Sequence, residues 1–326
     1  MQVLVVGVGA MGWNHSRVCS ELGILAGVCD MNEESVMGVA EYFGVPGFTS
    51  VSEAISELKP DAMIISTPTF THADIAIEAL NSGLHVLVEK PLAIDIESAE
   101  KIVKLAREKN LKLAVGHIER HNPVIAMARN NLESGEWGDV LTISSRRVSN
   151  FPGRIKDVGV ILDLGIHDID NVLHLMGSKL TSVFTRAGSH KAIEHEDHAN
   201  IILGFEDGKS AMLEVNWITP MRVRTLSLTC ENTFVELDYM RQQGSISKSR
   251  FINPEDKQQY PVKIEYDTKM ISLQRQEPLK IEIQDFVESI IDDREPLVNG
   301  EEGIYSLRAT IAALESWKTG KVVNFE

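Results

Sequence analysis

Cysteine is scarce. The three present, Cys19, Cys29 and Cys230, have neither CxxC nor metal-ligand spacing and cannot form a disulfide framework. They read as small core residues of a reduced compartment, so a cytoplasmic protein is expected. No apolar run reaches the ~20 residues needed to cross a bilayer, and no membrane association is expected. Positive charge is also in short supply: the formal net charge is −15, which excludes non-specific attraction to nucleic acid or an anionic lipid surface. Residues 1–12 are apolar, but no basic segment precedes them and glycines interrupt them, so they read as a strand and turn and not as a signal peptide.

What is present fits two domains, because 326 residues exceed one ordinary core. Over residues 1–120, short β-branched runs (3–6, 24–29, 62–66, 85–89, 112–116) alternate with amphipathic stretches of helical length (10–22, 33–43, 71–82, 95–109). Strands apolar on both faces and separated by helices predict a parallel sheet covered on both sides, an α/β doubly wound Rossmann domain.

Between the first strand and the first helix stands Gly7-Val8-Gly9-Ala10-Met11-Gly12. Its glycines suit a tight turn, close approach of a pyrophosphate to the backbone, and close packing of helix on strand, with the helix N-terminus toward the phosphates. Asp30 ends the second strand, where a carboxylate accepts hydrogen bonds from the adenosine ribose and repels a 2′-phosphate; with no arginine close behind it, NAD is expected rather than NADP. The alternative for Asp30 is a turn residue or helix cap.

From 121 to 326 the pattern changes: helix 123–134, strand 139–149, helix 161–176, then strands near 180–188, 199–206, 209–217, 222–230 and 233–238. This predicts a C-terminal α+β domain with an open, mainly antiparallel sheet, followed by helices near 279–293 and 302–318. Residues 241–278 are polar and take no assignment.

Several motifs together resemble the Gfo/Idh/MocA family of glucose–fructose oxidoreductase and inositol dehydrogenase-like enzymes. They are Ser66-Thr67-Pro68 with His72, Glu89-Lys90-Pro91, His117-Ile118-Glu119-Arg120-His121-Asn122-Pro123 and Asp163-Leu164-Gly165-Ile166-His167-Asp168. The resemblance implies a substrate pocket beside the nicotinamide lined by Lys90, Asp163 and His167, with Arg120 and Arg154 as further substrate contacts. It implies cofactor contacts at Thr67, Pro68, His72, Glu89, Lys90 and His117 in addition to Gly7, Gly9, Ala10, Met11, Gly12 and Asp30, often a cis Lys90–Pro91 bond, and a homodimer or homotetramer. Residues 115–120 and 154–160 look most like the UDP-N-acetylglucosamine 3-dehydrogenases of archaeal type, which implies oxidation of the 3-hydroxyl of a UDP-N-acetylhexosamine. An inositol or free-sugar dehydrogenase and a non-catalytic dinucleotide sensor are the alternatives.

The residues themselves suit alcohol oxidation, which needs a base near the hydroxyl and a group that stabilises negative charge on its oxygen. His167 fits the first task and Lys90 the second. Helical spacing over 161–176 sets Asp163, His167 and Asp170 on one stripe; the plainer alternative makes Asp163 an N-cap and His167 a core histidine. Arg146, Arg147, Arg154 and Lys156 form a basic cluster suited to a pyrophosphate, or else a solvated, salt-bridged surface. The stretch with His190, His195 and His198 lacks metal-ligand spacing and reads as a turn, so no metal is expected.

Overall fold

The computed structural model describes residues 1–151, 158–190, 195–251 and 264–325. They divide into two compact units, Met1–His121 with Glu277–Arg308, and Asn122–Gln276 with Ala309–Glu326.

The first unit is built on six strands: β1 (Val3–Val6), β2 (Leu25–Cys29), β3 (Gly47–Phe48), β4 (Ala62–Ile65), β5 (His85–Glu89) and β6 (Leu113–Gly116). All pair in parallel, in the order β3-β2-β1-β4-β5-β6 of a doubly wound dinucleotide-binding sheet. Helices α1 (Ala10–Glu21), α2 (Glu33–Phe43), α3 (Val51–Leu58), α4 (His72–Asn81) and α5 (Ile96–Glu108) fill the crossovers. Side chains start three of them: Asn32 accepts from Ser35 N, Ser50 from Glu53 N and Asp95 from Ser98 N, each satisfying an amide that a helix start leaves unpaired. Burial pushes the Cys19 and Cys29 thiols up to about 12, as befits inert core groups.

In the second unit, α6 (Pro123–Glu133) leads to β7 (Val140–Asn150), a π-helical segment (Ile161–Gly165) and α7 (Ile166–Met176). Then come β8 (Leu180–Gly188), β9 (His198–Phe205), β10 (Ser210–Asn216), β11 (Ile218–Cys230), β12 (Phe234–Asp238), β13 (Gln243–Phe251) and β14 (Ile264–Ser272). With the last strand of the chain they form a nine-stranded sheet in which only the β7–β10 pairing is parallel. The open, mainly antiparallel sheet expected from the sequence is thus present, and β13 and β14 occupy the stretch that took no assignment.

A division of the chain at 120/121 does not capture the return of residues 277–308 to the first unit. Helix α8 (Pro278–Ile291) explains that return: Leu279, Ile283 and Phe286 bury themselves in one apolar cluster with Val5, Val18 and Ile64. Helix α9 (Gly300–Thr319) and β15 (Val323–Asn324) end the chain. Among the described residues no helix is long and apolar enough to cross a membrane.

Candidate active site

The carboxyl end of the parallel sheet gathers most of the residues singled out by the sequence. Gly7 has φ +87°, and a Cβ on it would meet Ser66 and Thr67 backbone atoms at 2.8 Å; a Cβ on Gly12 would lie 1.7 Å from the Gly7 carbonyl oxygen. Both glycines are therefore demanded by the packing of the chain on itself. Gly9 is not: nothing lies within 4 Å of where its Cβ would stand. It is also the N-cap of α1 and supplies no side chain to that helix's first amides. Open space over bare backbone at a helix N-terminus fits a dinucleotide pyrophosphate.

Asp30 Oδ2 accepts from Val8 N at 2.8 Å and Oδ1 from Asn32 N at 2.9 Å. The carboxylate thus performs the turn-residue task, tying the second strand's end to the glycine loop, and it remains half exposed. Thr67 and Pro68 follow β4; the Thr71 hydroxyl lies 2.7 Å from that of Thr67 and donates to the Pro68 carbonyl at 2.8 Å. His72 is buried, with Nδ1 2.9 Å from Pro91 O and Nε2 2.9 Å from Thr67 O. Both contacts are hydrogen bonds only in the imidazolium form. Burial pushes the His72 pKa down, more than the two carbonyls and the Glu89 charge raise it, so the neutral ring donates to one carbonyl at a time.

Lys90 directly follows β5, and the Lys90–Pro91 bond is cis. Its neighbour Glu89 is buried and accepts on Oε1 from fully buried His15 Nε2 at 2.8 Å, and on Oε2 from Lys90 N at 3.2 Å. Burial raises the Glu89 pKa, but the His15 hydrogen bond and the charges of His15 and Lys90 outweigh that, and the net direction is downward. Close by on α8 sits Glu282, 2% exposed, neither of whose carboxyl oxygens has a hydrogen-bond partner among the described residues. Burial first, and the nearby Glu89 charge second, raise its pKa well above the usual carboxylate range. Two adjacent buried carboxyls cannot both ionise cheaply, so Glu89 keeps the charge and Glu282 the proton. His117 is buried beyond β6, and Arg120 is 2% exposed with its guanidinium donating to Glu302 at 2.7 Å.

The second unit carries Asp163 and His167, both half-buried. The sequence spacing suggested an ordinary helix from 161. Instead Asp163 lies inside the π segment Ile161–Gly165, a wider i→i+5 turn of a kind frequent at functional sites, and His167 stands in the first turn of α7. Buried Glu196 sets the start of that segment: its Oε1 accepts from Ile161 N at 3.0 Å and its carbonyl from Val160 N at 2.9 Å. Gly159 leaves it room, since a Cβ there would stand 2.1 Å from the Glu196 carboxyl. Burial raises the Glu196 pKa, more than the Ile161 amide lowers it.

Two members of the basic cluster are taken up internally. Arg147 is buried against Asp168, and Arg146 pairs with Glu214 at 2.9 Å. Arg154 and Lys156 lie outside the described residues. Arg222 is exposed and Arg224 half-buried on β11. Asp197, wholly buried, accepts from His190 N and pairs with His198 Nδ1, each at 2.8 Å. Among the described residues no group of three or more His, Cys, Asp or Glu is arranged to hold a metal ion.

His15, Glu196 and Glu282 were not singled out from the sequence. A signal existed for Glu282, which occupies the apolar stripe of α8 beside Leu279, Ile283 and Phe286. His15 carried a weaker one, three residues beyond Gly12 on the inward side of α1.

Comparison with known proteins bears on all of this. Residues 1–117 match the model described as oxidoreductase family, NAD-binding Rossmann fold, of the Gfo/Idh/MocA group, and residues 125–236 match the Gfo/Idh/MocA C-terminal domain. The UDP-N-acetylglucosamine 3-dehydrogenase of Acidithiobacillus ferrooxidans is 29% identical over 95% of this chain and 95% of its own length. The NAD-dependent scyllo-inositol 2-dehydrogenase of Bacillus subtilis is 24% identical over 99% of this chain and 95% of its own. Among solved structures, the Acidithiobacillus ferrooxidans enzyme superposes with a TM-score of 0.88 at 28% identity, covering 98% of both chains.

Proposed function

The chain belongs to the Gfo/Idh/MocA oxidoreductase family, with its NAD-binding Rossmann fold, and from that premise we propose that it oxidises the 3-hydroxyl of a UDP-N-acetylhexosamine. The observation that carries the reading is Lys90 directly after β5, at the carboxyl end of a sheet whose strand order is that of dinucleotide-binding proteins. The likeness to the UDP-N-acetylglucosamine 3-dehydrogenase over nearly the full length of both chains supports the choice of sugar.

In the proposed reaction His167 takes the hydroxyl proton as general base. Lys90 donates a hydrogen bond to the same oxygen and stabilises the negative charge that develops on it as the proton leaves, a charge that departure of the hydride then discharges. Asp163 binds a neighbouring hydroxyl and balances the two cationic groups. Bound NAD supplies the hydride acceptor, so the products are a ketone, NADH and one proton. Asp30 would hold the adenosine ribose hydroxyls, and the amides at the start of α1 would hold the pyrophosphate.

A second reading, an inositol or free-sugar dehydrogenase, has an observation in its favour. Arg146, Arg147 and Arg120 are each matched by a carboxylate of the chain, which reduces the cations on offer to a pyrophosphate. NADH formation with NAD and UDP-N-acetylglucosamine, N-acetylglucosamine, glucose, myo-inositol and scyllo-inositol separates the two. The first reading expects the highest kcat/KM with the UDP-sugar, turnover with free polyols alone selects the second, and no turnover with any of them overturns both.

A further inference from the structure

We propose that the buried His15–Glu89 pair positions Lys90, so that the helix carrying the glycine motif sets the aim of the reactive amine. The inference rests on the role given above to Lys90 and names what holds it.

Glu89 and Lys90 are consecutive, and the Glu89 carboxylate folds back to accept the Lys90 amide hydrogen on Oε2. That bond orients the peptide plane from which the lysine side chain departs. The other oxygen is held by His15 Nε2 at 2.8 Å. Gly116 gives the carboxylate its place, because a Cβ there would stand 3.1 Å from Oε2. A path of two hydrogen bonds thus leads from α1 to Lys90.

A buried histidine–carboxylate pair is a poor way to stabilise a core, since apolar residues of similar volume do as well or better. Glu282, a second buried carboxyl with no hydrogen-bond partner among the described residues, keeps its proton beside the pair and adds no compensating charge. What the pair supplies that an apolar pair does not is direction. His15 needs its proton on Nε2 to donate to Glu89, and in that tautomer Nδ1 carries only a lone pair, which has no partner among the described residues. His15 and Glu89 are positioning residues in this account; neither carries out the proton or hydride transfer.

The test compares His15→Leu, which has no donor, with His15→Gln, whose amide can donate to the carboxylate. The readouts are kcat, KM for the sugar, NAD affinity by titration calorimetry, and the NMR resonance of 13C-methylated Lys90, assigned with Lys90→Arg. Positioning predicts that His15→Leu lowers kcat about 100-fold, the scale of a reacting group displaced by roughly 1 Å. NAD affinity holds, the Lys90 resonance moves, and His15→Gln restores both kcat and resonance. A folded His15→Leu protein with wild-type kcat and an unmoved Lys90 resonance overturns the proposal. If His15→Leu does not fold, the double variant His15→Leu/Glu89→Met replaces both partners with apolar groups and carries the same readouts with the same two outcomes. Should the wild-type protein oxidise none of the sugars, the function proposed above fails, while the Lys90 resonance still decides whether the pair positions that residue.

Discussion

Arg147 Nε donates to Asp168 Oδ2 across 2.5 Å inside the second unit, with the guanidinium carbon 5.5 Å from the centre of the Tyr239 ring. Ser145 Oγ donates to the other carboxylate oxygen at 2.7 Å. The arginine that a basic cluster in the sequence offers to a phosphate is thereby a fixed part of the packing of α7 on β7. Replacing Arg147 with Met strands a buried carboxylate, and a loss of about 3–5 kcal/mol is expected. Urea unfolding checks it: the midpoint falls, while KM for the sugar in the folded protein stays unchanged.

Glu282 supplies a pH test. Its folded pKa lies well above the ordinary 4.5 because of burial and the Glu89 charge. The folded state therefore binds a proton that the unfolded state releases, and stability is fully present below the ordinary value and lost as pH rises toward the folded one. Glu89, lowered in the folded state, has the opposite sign and loses its contribution as pH falls. Glu282→Gln is therefore expected to melt increasingly above the wild type as pH rises from 4.5, as checked by thermal unfolding across a pH series. A constant difference would contradict the assignment of the proton to Glu282.

Asp30 ties the glycine loop to the end of β2 and keeps a half-exposed carboxylate there. Asp30→Ser removes the charged acceptor proposed for the ribose hydroxyls, and hydrogen bonds to charged groups contribute about 1.5–3 kcal/mol. NAD affinity should fall by about 10- to 100-fold, and discrimination against NADP should narrow. Calorimetric titration with both dinucleotides measures it.

The parallel sheet was legible because its strands are apolar on both faces and punctuated by helices, down to Gly7, Gly9 and Gly12 at the first turn. The two-residue β3 and the short α3 were not, because so short a strand leaves no period to read. Strands β13 and β14 escaped for another reason: β13 is mostly polar, and the alternation of Ile264, Tyr266 and Met270 with Glu265, Asp267 and Lys269 that marks β14 went unread inside a polar stretch. The π segment under Asp163 was invisible for a third. Its turn is set by Glu196, 35 residues beyond Ile161, and a helical period read locally carries no trace of that capping carboxylate. Lys90, Asp163 and His167 were proposed from resemblance and chemistry, whereas His15, which holds the Glu89 carboxylate, comes from α1, remote in sequence.

One face of the nine-stranded sheet carries Ile202 paired with Met212, and continues through Ser144, Ser227 and Glu236 in register. Ile202 is 47% and Met212 54% exposed. An open apolar-centred face supports the expectation of a homodimer or homotetramer formed through it. Light scattering on a sizing column should give a multiple of 36.2 kDa. Ile202→Glu/Met212→Glu should move the population toward the monomer without loss of helix and strand signal by circular dichroism.

The proposed reaction rests on Lys90 acting at the substrate oxygen, with the cofactor contact implied for it adding little to NAD affinity. Lys90→Met tests it, with NAD affinity by calorimetry and NADH formation with the preferred sugar measured on the same preparation. The expected result is wild-type NAD affinity with turnover reduced at least about 100-fold, the scale of a lost general-acid or electrostatic group. NADH produced by Lys90→Met at the wild-type rate would contradict the account.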